Sequence, residues 1–75
     1  MVFESIRSFL AELLACEEGR ITLSTVVMED LEAEPSDLLD LMLLLEQEYS
    51  VQWTEKDLKN LKTVGDFVAF VENQI

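Results

Sequence analysis

The stretch EDLEAEPSDLLDLMLLLEQEY, residues 29–49, decides the fold and carries most of the functional expectations. It holds eight of the sixteen acidic residues and no Lys or Arg. Leu38, Leu41, Met42, Leu45 and Tyr49 recur in it at three- and four-residue spacing, which places their side chains along one side of an α-helix. Such a stripe must be buried. At 100° per residue, Asp37, Asp40, Gln47 and Glu48 fall on the opposite side, so the same helix turns an acidic face to solvent. Leu39, Leu43 and Leu44 flank that acidic arc. A single exposed leucine is unremarkable, but leucines interspersed with acids on one helix suggest a docking surface. Pro35 suits the first helical position, where its missing N–H costs nothing, and Ser36 and Asp37 follow at the positive end of the helix dipole. The helix is therefore expected to begin at residues 34–36, with Ser36 exposed.

Towards the N-terminus, Phe3, Ile6, Leu10, Leu13 and Leu14 follow helical periodicity, with Glu4, Arg7, Ser8 and Glu12 between them, predicting a first amphipathic helix from Phe3 to about Cys16. Gly19 is the expected terminator, through a positive φ. The connection RITLSTVVMEDLEAE, residues 20–34, has β-branched residues but no sustained helical stripe. Ile21, Val26, Val27 and Leu31 are too apolar for a free loop and should plug the bundle as the segment crosses it. A strand over residues 21–28 would lack a second strand to pair with.

Towards the C-terminus, SVQW at residues 50–53 reads as an extended turn with Val51 and Trp53 directed inward. Thr54 with Asp57, and Thr63 with Asp66, repeat one helix-opening arrangement. The first opens a short helix through Leu58 and Leu61. The second opens a last helix with the stripe Val64, Phe67, Val68, Val71 and Ile75. The expected architecture is all-α: a small, irregular, four-helix up-down bundle in a single domain over residues 1–75. Phe3, Phe9, Tyr49, Trp53, Phe67 and Phe70 are the bulky core candidates. Slight separation of such helices would admit a small apolar guest.

Composition narrows the function. The formal net charge is −11 over 75 residues, which disfavours nucleic acid and favours basic protein surfaces. There is one cysteine and no histidine, so neither an internal disulfide nor a zinc-type ligand set is available. Cys16 reads as a small core residue in a reduced, cytoplasmic setting. No stretch reaches the ~18 apolar residues of a membrane span, and a monomer is expected. Without histidine the usual general base at neutral pH is missing, and the carboxylate pair Asp37 and Asp40 reads as a solvated helix face. An enzyme is not expected. The two glycines, Gly19 and Gly65, are too far apart for a phosphate loop, and the acids at 29, 30, 32 and 34 lack the spacing of a dedicated metal site.

Taken in order, the first helix, Ile21, MEDL at residues 28–31, DLLDLMLLLEQEY at 37–49 and TVGDFVAFV at 63–71 resemble the acyl carrier proteins, without a gap over nearly the whole chain. The resemblance implies a four-helix bundle whose second helix is the recognition helix. It implies that acyl-processing enzymes and a phosphopantetheinyl transferase dock basic residues on Asp37, Asp40, Glu46 and Glu48, with Leu39 and Leu43 as the apolar contacts. It also implies 4′-phosphopantetheine on a serine within an Asp-Ser-Leu triplet, its thiol carrying an acyl group. Here the triplet reads Glu34-Pro35-Ser36. Two registers are open: Pro35 stands at the serine position, or Ser36 is itself the serine and the leucine has been lost. They differ by ~1.5 Å of rise and ~100° of rotation.

Overall fold

The computed structural model describes residues 2–75. Among them the order is α1 (Val2–Leu14), a 3₁₀ turn (Glu18–Arg20), α2 (Val27–Asp30), α3 (Pro35–Tyr49), α4 (Glu55–Asn60) and α5 (Val64–Glu72). Three longer helices form the body, with α1 packed against both α3 and α5. Two short ones, α2 and α4, lie in the connections before and after α3. The all-α bundle expected from the periodicity is thus observed. Its extra piece is α2, whose four residues are too few to show a stripe in sequence.

Burial follows the helical spacing. In α1, Val2, Ile6 and Leu10 are buried; in α3, Leu38, Leu41, Met42 and Leu45; in α5, Val64, Phe67, Val68 and Val71. Each large aliphatic or aromatic side chain removed from water in this way stabilises the fold by roughly 1.5–3 kcal/mol before entropy is charged against it. Ile21, Val27 and Val51 complete the core from the connections. Val26 and Leu31 are only half-buried.

The aromatic residues differ from expectation. Phe67 alone among the six candidates is fully buried, whereas Phe3, Phe9, Tyr49, Trp53 and Phe70 pack as a partly exposed rim. Short helices around a thin core leave no interior wide enough for more than one ring. Ile75 is 67% exposed, because α5 ends at Glu72 and the stripe cannot continue past it.

The end of α1 also differs. Gly19 lies in the 3₁₀ turn without a positive φ, and the left-handed residue is Ala15, at φ 52°. The Cys16 N–H donates to the Ala11 carbonyl at 3.1 Å, the six-to-one bond of a Schellman ending, and this closes the helix two residues before Cys16 reaches its half-buried position. An ion pair from Arg7 Nε to Glu18 Oε1 (3.3 Å) holds the following turn beside α1.

The crossing segment is fastened to the junction of α4 and α5 by backbone hydrogen bonds. Val27 N–H donates to the Lys62 carbonyl at 3.0 Å, Val64 N–H to Thr25 at 2.9 Å, and Gly65 N–H to Leu23 at 2.8 Å. Val26 and Thr63 form an isolated antiparallel bridge, so the β-branched run finds a partner without becoming a strand. A Cβ on residue 65 would stand 3.0 Å from the Leu23 carbonyl oxygen, which is why glycine fits this close approach.

Candidate functional site

The site is built around the first turn of α3. Pro35 takes the first helical position, as its fixed φ allows, and Glu34 is the extended N-cap. Asp37 turns its Oδ2 back to accept the Glu34 N–H at 2.9 Å. The capping work is therefore done by Asp37, and Ser36 is left exposed, with no side-chain hydrogen bond among the described residues. Its hydroxyl stands free at the positive end of a fifteen-residue helix, a favourable place for a phosphodiester.

The same device recurs along the chain. Asp30 Oδ2 accepts from the Val26 N–H, Asp57 Oδ2 from Thr54 and Asp66 Oδ2 from Thr63, so four of the five aspartates open helices. Asp66 also accepts the Lys62 N–H at 3.0 Å. The bonds from Thr63 and then Lys62 hold its carboxyl below the usual aspartate range. Asp40 is the exception: it opens no helix and is exposed on the face of α3.

That face groups the expected docking residues. Counting turns, Ser36, Asp40, Leu43 and Gln47 follow one line down the helix, opposite the buried stripe. Leu39 is 42% and Leu43 49% exposed, Leu44 is half-buried, and Glu46 and Glu48 are exposed. Asp37 is half-buried, with one oxygen engaged in its cap. Asp40, Leu43, Leu44 and Gln47 meet Leu13 of α1 at a shallow cleft.

A deeper pocket of about 320 Å³ opens on the other side of Pro35. Val26, Met28, Pro35, Leu38, Leu58 and Leu61 form its apolar wall, and Glu29, Lys59 and Lys62 stand at its edge. It is the kind of space between helices expected to admit an apolar guest. The sequence reading assigns the lysines no role, although Lys56, Lys59 and Lys62 recur at three-residue spacing, a signal that could have drawn attention to them.

The family model for the phosphopantetheine attachment site matches residues 4–71. The chain belongs to the acyl carrier protein family. It is 32% identical over 74 residues to the acyl carrier protein of Thermotoga maritima, covering 99% of this chain and 91% of that one. It is also similar to the solved structure of "a putative acyl carrier protein" from Mycobacterium tuberculosis, with a TM-score of 0.91, 29% identity and full coverage of both chains. Members of this family are carriers, not enzymes, and 4′-phosphopantetheine is the group they attach. In this chain Ser36 offers an exposed hydroxyl at the start of α3, one residue beyond Pro35, which borders the pocket. No helix is long and apolar enough to cross a membrane among the described residues.

Proposed function

We propose that this chain, a single cytoplasmic domain over residues 1–75, is a monomeric carrier that bears 4′-phosphopantetheine on Ser36. In this reading it presents an acyl or related chain to enzymes of the fatty acid or polyketide type. The observation that carries the reading is the free, exposed Ser36 hydroxyl at the N-terminus of α3, released from capping by Asp37. The prosthetic group supplies a thiol for thioester chemistry. The chain's own residues supply attachment and presentation: Ser36 the ester oxygen, the first turn of α3 a positive dipole end beside the phosphate, and the bundle a place beside Pro35 where an apolar chain leaves water. Asp40, Glu46, Glu48 and the free oxygen of Asp37 provide negative charge around Leu39 and Leu43, a pattern suited to basic enzyme surfaces, including that of a phosphopantetheinyl transferase.

Attachment forms the bond from Ser36 Oγ to phosphorus and breaks the pyrophosphate of coenzyme A, with adenosine 3′,5′-bisphosphate leaving. Incubation with coenzyme A and a broad-specificity phosphopantetheinyl transferase should add one phosphopantetheine to the intact mass of the wild type and none to Ser36→Ala. A label retained by Ser36→Ala would sink the assignment. The register that sets Pro35 at the family's serine position favours a second reading, an interaction module without prosthetic group that keeps the acidic helix. Absence of label on the wild type, with label gained by Pro35→Ser, would select that reading.

A further inference from the structure

We propose that the pocket between Pro35 and α4 is selective for an aliphatic chain ending in a carboxylate, with Lys59 and Lys62 receiving the charged end. The wall of this space is apolar, so the body of its ligand must be apolar too. Its edge is not. Two of the chain's five basic residues stand there, in a protein whose net charge of −11 otherwise repels anions. Both lysines are exposed, and neither is ion-paired; the ion pair among the described residues is Arg7 with Glu18.

The neighbouring acids do not pair with them. Glu29 is the one carboxylate bordering the same space, against two ammonium groups, and it lies beyond ion-pair distance of both. Asp66 is near enough to Lys62 to feel its charge, but its Oδ2 accepts the backbone N–H groups of Lys62 and Thr63 and the carboxylate makes no ion pair with the Lys62 ammonium. An apolar wall with two ammonium groups at its mouth that make no ion pair matches an amphipathic anion, whose charged end they can receive.

The test titrates the unmodified protein with octanoate, octan-1-ol and octyltrimethylammonium, following backbone amides by NMR. Because no prosthetic group is present, the outcome is independent of whether Ser36 is modified. Octanoate should bind saturably, shifting Met28, Leu58 and Leu61, and more tightly than the alcohol or the cation. The double variant Lys59→Gln/Lys62→Gln should weaken octanoate about three- to tenfold and leave the alcohol unchanged. Both lysines are exposed, so an otherwise unchanged amide spectrum verifies the fold of the variant. Equal affinity for octanoate and octan-1-ol, or shifts that avoid the pocket, would overturn the proposal. A second arm compares the protein loaded with octanoyl and with ω-carboxyoctanoyl chains. Larger lysine-dependent shifts with the latter identify the ligand as the far end of a carried chain; octanoate binding without that difference identifies it as a free carboxylate.

Discussion

The Tyr49 hydroxyl donates to Ser5 Oγ at 2.7 Å, joining the last turn of α3 to the first turns of α1 across 44 residues of sequence. The bond is partly buried, so its loss is not fully repaired by water. Tyr49→Phe keeps the ring in the aromatic rim and removes only the donor. It should cost about 1 kcal/mol in urea unfolding, and a cycle with Ser5→Ala should show coupling of similar size. Additive losses would mean that the two hydroxyls act independently.

Ala15 carries the left-handed turn that ends α1, a conformation costing an L-residue roughly 1–2 kcal/mol and glycine little. The side chain is exposed and its removal leaves no cavity. Ala15→Gly should therefore stabilise the protein by about 0.5–1 kcal/mol after the entropy of the glycine in the unfolded chain is subtracted. A lower urea midpoint for this variant would show that the turn is not strained.

Asp66 makes stability depend on pH. Its carboxyl is held below the usual range by the N–H groups of Thr63 and Lys62, so its stabilising effect is present above the unfolded value of ~3.9 and is lost as pH falls through the lower folded value. Asp66→Asn keeps one acceptor oxygen but cannot ionise. Wild type should be the more stable at pH 7, and the gap should narrow as pH drops below ~4. A gap that stays constant from pH 7 to pH 2 would exclude this origin.

Asp40, free of any capping duty, and Glu48 are the charges on α3 best placed to steer a basic partner. Reversing both to Lys should slow association about tenfold or more at low salt and change dissociation much less. Stopped-flow binding over a range of salt concentrations measures this. An on-rate indifferent to both the reversals and the salt would remove this face from docking.

How much of this was legible beforehand depends on length. The fifteen residues of α3 repeat their buried stripe through four turns, and its Pro35 start is written in the chain; the paired Thr and Asp openings of α4 and α5 are equally local. The one-turn α2 has no period to detect. The left-handed Ala15 was hidden because alanine is a poor residue for that role, and Gly19 four positions later offered the commoner answer. The exposed acidic face of α3 was readable because it lies on one helix. The pocket was not: its wall joins Val26, Leu38 and Leu61, brought together by hydrogen bonds between the crossing segment and the α4–α5 junction, which no spacing rule encodes.

The helix α4 contributes no buried side chain, and only its C-terminal end adjoins the bonded junction at residues 62–65. Its backbone can come loose while α1, α3 and α5 stay folded, because few apolar contacts oppose that step. Amides of residues 58–61 should then exchange with deuterium at a free energy well below that of global unfolding, and a guest seated against Leu58 and Leu61 should slow them. One wall of the pocket would thus be its door, opened by partial melting of six residues at little expense to the rest of the molecule.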